Sequence, residues 1–308
     1  LSQRLFHNEA SALPFLPEPQ LMEMSDKDSS MRTISFPNGR TVPAIGQGTW
    51  MMAEGRADRG TEIRALRIGF DDGLTVVDTA EIYGDGASEE LVGEAIAGRR
   101  DDLFLVSKVA PSHASEAGTI RALEDSLRRL RTDRVDLYLL HWRGGHPLEA
   151  TLRGFERLQK DGKIGLWGVS NFDTDDMEEL MSVAGGRACA TNQILYNPEE
   201  RGAEFDLLPW MREKGMPAMA YSPVGQGGKL LSRSGLRRIA ERHGATPAQV
   251  ALAFAIRDGN TLAIPKAGDP AHAAENAAAL RLELSPADLA EMDEAFAPPS
   301  HKVPLAII

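Results

Sequence analysis

Asp78, Tyr83, Lys108 and His141 are residue types from which one acid–base device can be built. "TVVDTAEIYG" (75–84) ends an apolar, β-branched run in a carboxylate and places a phenol five residues on. A buried carboxylate is costly unless something pairs with it. "LFLVSK" (103–108) closes in lysine and "LYLLH" (137–141) in histidine, each a polar end to an apolar run. If Asp78 fixes the Lys108 ammonium and that ammonium faces Tyr83, the phenol is drawn below its ordinary pKa of about 10 by roughly 1–3 units. It then becomes a general acid usable near neutral pH. His141 can hydrogen-bond the same oxygen and orient a carbonyl. A set that protonates a developing alkoxide implies carbonyl reduction, and since no side chain donates hydride, a cofactor must.

Singly, these residues also have plainer readings. Asp78 fits a helix N-cap as well as a catalytic carboxylate, and His141 fits a satisfied core histidine. Lys108 is different, because an ammonium closing a buried strand needs a partner or a task.

The elements that must position them follow a rhythm that begins near residue 31. "RTISFPNGRTVPAIG" reads as a hairpin, with Asn38–Gly39 supplying the positive-φ turn. Eight strand-like runs follow: "AIGQG", "TVVDTA", "LFLVSKV", "VDLYLLHW", "IGLWGVS", "CATNQIL", "PAMAYS" and "TLAIP". Between them lie amphipathic stretches such as "TEIRALRIGFDDG", "ASEELVGEAIAGR", "GTIRALEDSLRRLR" and "PLEATLRGFERLQKDG", with Gly73 and Gly162 placed as helix stops. Alternating strands and helices predict a parallel α/β sheet, either open and doubly wound or closed as a (β/α)8 TIM barrel. "GQGTWM" lacks the third glycine of the dinucleotide fingerprint, and the count of eight favours the barrel, with the N-terminal β-hairpin capping its bottom. The strands end in Gly48-Thr49-Trp50, Asp78, Lys108, His141, Ser170-Asn171, Gln193, Tyr221-Ser222 and Pro265-Lys266. In a barrel all of these converge on one face.

Composition narrows the partners. With 308 residues, 42% apolar content and a net charge of −11, the chain fits one large globular domain with an acidic surface. That charge argues against nucleic acid or an anionic membrane as partner, and no apolar run is long enough to span a bilayer. The one cysteine, Cys189, lies in an apolar segment and reads as a buried thiol in a reducing, cytoplasmic protein. The seven histidines lack paired metal-ligand spacing, so no metal is expected. Residues 1–30 have no signal-peptide pattern and precede or include Met22, Met24 and Met31; they read as a flexible or vector-derived extension before a single domain at 31–308.

Taken in order, these segments resemble the aldo-keto reductase family, from about residue 32 to the C-terminus. "DTAEIYG" is similar to its Asp-Thr-Ala-x-x-Tyr segment, "LVSKV" to its lysine strand and "LYLLHW" to its histidine strand. "GVSNF", "NQILYNP", "YSPVGQGG" and "IPKAGDPAHAAEN" are similar to its cofactor segments. The resemblance implies Tyr83 as proton donor, Lys108 and Asp78 as its tuning pair, and His141 as orienter of the carbonyl. It implies NADPH held by Gly48, Thr49, Trp50 and Asp78 and by Ser170, Asn171 and Gln193 at the carboxamide. Tyr221 would stack on the nicotinamide ring, and Ser222, Pro223, Val224 and Gln226 would follow the pyrophosphate. Ile264, Pro265, Lys266, His272, Glu275 and Asn276 would hold the adenosine end, Lys266 meeting the 2′-phosphate.

The chain departs from the family pattern after "IPK", where Ala267, Asp269 and His272 replace residues that favour phosphate, so NADH is expected as a second cofactor. Trp50, Met51, Tyr83, His141 and Trp142 would line the substrate pocket. The short C-terminal tail resembles the bacterial broad-range aldehyde and 2-oxoaldehyde reductases, acting as a monomer on small aldehydes and α-dicarbonyls such as methylglyoxal. Arg143, in "HWRGG", reads as an anion-facing residue at the rim or as an exposed loop arginine. Two other functions remain: an aldolase using Lys108 as a Schiff base, and a non-catalytic cofactor-sensing subunit similar to the channel β subunits of the family.

Overall fold

Each of the eight apolar runs contains a parallel strand in the computed structural model, which describes residues 31–308. The proposed extension at 1–30 lies outside the described residues. A hairpin comes first: β1 (Thr33–Ser35) pairs antiparallel with β2 (Thr41–Pro43), and Gly39 takes the left-handed turn conformation at φ 82°. Eight parallel strands follow among the described residues. They are β3 (Gln47–Gly48), β4 (Val76–Asp78), β5 (Phe104–Val109), β6 (Val135–Leu140), β7 (Ile164–Ser170), β8 (Asn192–Leu195), β9 (Ala218–Tyr221) and β10 (Thr261–Ala263). Each pairs with its neighbours in chain order.

The sheet closes on itself between first and last strands. Gly46 N donates to Ala263 O at 2.8 Å, Ala263 N to Ala44 O at 2.9 Å and Gly48 N to Pro265 O at 2.9 Å. Glycine is required at this seam, since a Cβ on Gly48 would stand 2.7 Å from the Ile264 carbonyl oxygen. The expected barrel is therefore the architecture, and the hairpin caps its N-terminal end as expected. Phe36 stacks on Phe104, the first residue of β5, at 5.0 Å. The Arg32 guanidinium donates to the carbonyls of Ala279, Leu280 and Leu282.

Outside the strands run α1 (Arg59–Asp71), α2 (Ala87–Ala95), α3 (Glu116–Leu130), α4 (Leu148–Lys160), α5 (Thr174–Ser182), α6 (Leu207–Glu213), α7 (Ser234–His243), α8 (Pro247–Ala255), α9 (Pro270–Ala278) and α10 (Pro286–Ala295). Their limits follow local chemistry. Asp58 caps α1 by accepting from Thr61 N, and the chain leaves the helix at Gly73 with φ 94°. On α4, Leu148, Leu152, Phe155 and Leu158 recur at helical spacing and are buried against the barrel. Helices α7 and α10 fall outside the regular strand–helix alternation. They are joined to each other by Arg238–Glu291 and Arg242–Asp288 ion pairs.

Candidate active site

The polar strand ends meet at the mouth of the barrel, in a cleft of about 1190 Å³. Asp78 ends β4, Lys108 lies near the end of β5, and His141 follows β6 directly. Lys108 is fully buried and its Nζ donates to Asp78 Oδ2 at 2.6 Å, to Thr79 O at 2.8 Å and to Tyr83 Oη at 3.2 Å. The turn after β4 winds through left-handed Gly84 and Asp85 and brings Tyr83 over the lysine, Nζ lying 4.8 Å from the ring centre. The His141 ring stands edge-on to Tyr83 at 5.6 Å. Asp78 therefore is not a helix cap: its second oxygen accepts from Gln193 Nε2 at 2.8 Å.

Burial decides the electrostatics. It works against the Lys108 ammonium, but Asp78 and Tyr83 outweigh it and hold the lysine pKa above its ordinary value. It also pushes the Asp78 carboxyl up, against the pull of Lys108 and Gln193. The expected lowering of the Tyr83 pKa is not found: burial raises it, and with the smaller push of the Asp78 charge it outweighs the opposing pull of Lys108. The phenol is thus held protonated. Burial, with the Lys108 charge, lowers the His141 pKa to about 2, so the imidazole is neutral, and its Nδ1 has no hydrogen-bond partner among the described residues. The Cys189 thiol is buried and pushed up to about 12, which fits a structural residue.

Every residue expected at a substrate or cofactor position lines this cleft, and Lys108 alone of the expected set lies beneath its floor. Ser170 Oγ donates to Gln193 O at 2.8 Å, and Asn171, at φ 61°, sends Nδ2 to His141 O at 3.1 Å. Tyr221 donates to Asn171 Oδ1 at 2.8 Å; its phenol is pushed up to about 12 by burial and stays neutral. Among the lining residues that sequence reasoning missed are Arg56, Ile82, Leu231 and Thr246. Ile82, apolar beside Tyr83 in a turn, carried a usable signal; Thr246 reads only as the capping box of α8, which it also is. Arg143 lines the rim but is committed elsewhere, donating to Glu179 at 2.7 and 2.8 Å.

The residues fit a nicotinamide dinucleotide. Pockets for small ligands run to about 1000 Å³, so this cleft has room beyond a small carbonyl compound. Ser222, Gly225 and Gln226 all take positive φ, the kind of winding that presents backbone N–H groups to anions. At the far end Lys266 is exposed and forms no ion pair with a described residue.

Residues 44–297 match the sequence profile described as the Aldo/keto reductase family. The chain belongs to that family. The reductase is 49% identical over 281 residues to the methylglyoxal reductase YeaE of Escherichia coli (strain K12), covering 90% of this chain and 99% of that one. It is 35% identical to the glyoxal reductase of Bacillus subtilis (strain 168), over 85% of this chain and 91% of the relative. A crystal structure of an aldo/keto reductase from Klebsiella pneumoniae, in complex with NADP and acetate, superposes with a TM-score of 0.88 at 50% identity, covering 91% and 100%. The fold and family thus carry the oxidoreductase class for this chain. The aldolase alternative also fails on geometry, since the Lys108 ammonium is enclosed by three partners and does not face the cleft. No described helix is long and apolar enough to cross a membrane.

Proposed function

We propose that this reductase converts small aldehydes and α-dicarbonyls of the methylglyoxal kind to alcohols with NADPH, Tyr83 delivering the proton. The observation that carries the reading is the fully buried Lys108 ammonium touching both Asp78 and Tyr83 at the cleft floor. A bound nicotinamide would supply the hydride for the carbonyl carbon. As negative charge grows on the carbonyl oxygen, Tyr83 Oη releases its proton to it, and the phenolate left behind is stabilised by Lys108 Nζ. Asp78 holds that ammonium in place. Neutral His141 offers an N–H to orient the same oxygen, without a positive charge to compete for the proton. Trp50, Met51 and Trp142 form the apolar wall against which a small carbonyl compound is enclosed.

Tyr221 would hold the nicotinamide ring. Gln193 already donates from Nε2 to Asp78, so its side-chain carbonyl oxygen is the atom left, with Ser170 and Asn171, for the carboxamide. Lys266 would hold the 2′-phosphate, with His272, Glu275 and Asn276 for the adenosine end. Because Ala267, Asp269 and His272 offer no second cation of fixed charge there, NADH serves as an alternative cofactor.

A panel of aldehydes, dicarbonyls and keto esters assayed with each cofactor tests the assignment, with Tyr83→Phe as control. The variant is expected to lose about 10²-fold or more in kcat while still binding nucleotide. Near-full activity would exclude Tyr83 as the donor, and a preference of several hundredfold for NADPH would exclude the relaxed cofactor choice.

A further inference from the structure

Glu62, in the first turn of α1, is fully buried and has one oxygen to spare. Its Oε2 accepts from the Ala53 backbone N–H at 2.9 Å, whereas Oε1 has no hydrogen-bond partner among the described residues. Buried side-chain acceptors are paired in the large majority of cases, so an unpartnered one calls for an explanation. Helix α1 packs on α9, and Gly268, in the loop leading into α9, shows where Oε1 lies. A Cβ built on Gly268 would have Lys266 Nζ at 3.2 Å and Glu62 Oε1 at 3.6 Å. The cation and the unpartnered oxygen thus flank a single point, without forming an ion pair.

We infer that Glu62 sets the choice between NADPH and NADH, an inference that rests on the nucleotide reading given above and on Lys266 meeting the ribose 2′ position. The carboxylate, itself shielded from solvent, offsets the charge of the exposed lysine beside it, and salt screens a buried group less than a surface one. A 2′-phosphate then meets little net attraction. Asp269, which precedes α9, and Glu275, on α9 at the cleft, add negative charge but are not buried in this way. The other oxygen fixes Ala53 in the loop that carries Trp50 and Met51 to the cleft, where Met51 and Ala53 both hold left-handed φ of 65° and 62°. The informative substitution must therefore keep that acceptor.

Glu62→Gln does so, removing only the charge. Equilibrium titration of NADPH, NADH, 2′,5′-ADP and 5′-AMP, followed by protein fluorescence, reads binding without turnover. The ratio of NADPH to NADH affinity is expected to shift toward NADPH by about tenfold, and the fragment pair by the same factor. An unchanged ratio, within about twofold, in a variant whose parent binds both nucleotides overturns the role of Glu62 alone. A parent that binds neither nucleotide overturns the cofactor reading and this inference with it. Should the variant fail to fold, the parent decides. With the lysine offset, its NADPH to NADH ratio should change by less than about twofold between roughly 50 and 500 mM salt. A fall of about tenfold would reveal a net-positive 2′ site and overturn the inference.

Discussion

Tyr83 is held as a neutral phenol by its surroundings, and this sets how the site responds to pH. Burial and the Asp78 charge raise its pKa more than Lys108 lowers it. A group whose protonated form is the working acid stays competent at every pH below its own pKa, which here lies above the ordinary value of about 10. His141 contributes no titration near neutrality, being lowered to about 2. The kcat/KM for carbonyl reduction is therefore expected to stay level from about pH 6 to about pH 9, and to fall only in more alkaline solution. Alcohol oxidation needs the phenolate as base, so its rate should climb by about tenfold per pH unit over the same range. Steady-state profiles in both directions check this. An inflection near pH 6.5 in reduction, abolished by changing His141, would show that the imidazole titrates in the working enzyme.

Among the elements, α9 shows how far position alone can be read. The sequence marks Asp269 as a carboxylate that repels a 2′-phosphate, and the proline after it, a favoured first helical residue, also suits it to a helix cap. In the structure it is the N-cap of α9, its side chain accepting from Ala271 N at 2.8 Å and His272 N at 3.4 Å. Charge and cap can be separated by substitution. Serine caps a helix about as well as aspartate, whereas alanine in that place costs about 1 kcal/mol. Asp269→Ala is expected to lower stability by that amount in urea unfolding, and Asp269→Ser to leave it within a few tenths. Both remove the charge, so both should tighten NADPH by about threefold, a modest gain because the residue is exposed to screening solvent. Equal stability of the two variants would mean that the cap contributes nothing. An unchanged NADPH affinity in both would leave Asp269 a purely structural residue.

For the molecule as a whole, the barrel was legible because strands buried on both faces read as unbroken apolar runs, and because their polar ends had to share one rim. Asp78, Lys108 and Tyr83 could be paired from that topology alone. The direction of the Tyr83 shift could not, since it is a balance of burial against two opposite charges at distances the chain order does not give. Nor could the Arg143–Glu179 pair or the spare oxygen of Glu62, both of which depend on contacts across elements. The same holds for α7 and α10, which the strand–helix alternation does not require. They are held by Asp288, which is buried and accepts from Ser285, Arg242 and His243, while Arg242 also reaches Glu291. Burial by itself would raise the Asp288 pKa, but the hydrogen bonds from Ser285, His243 and Arg242 together hold it well below the usual carboxylate range. A carboxylate depressed in the folded state stabilises fully above its unfolded pKa of about 3.9, and that stabilisation drains away as pH falls toward the folded value. Asp288→Asn is thus expected to cost about 1.5–3 kcal/mol at neutral pH, the range for hydrogen bonds to a charged group. The gap between parent and variant should narrow steadily below about pH 4, as read by urea unfolding at several pH values. A gap that stays constant down to about pH 2 would mean that Asp288 holds α7 and α10 together by shape and capping, with its charge contributing nothing.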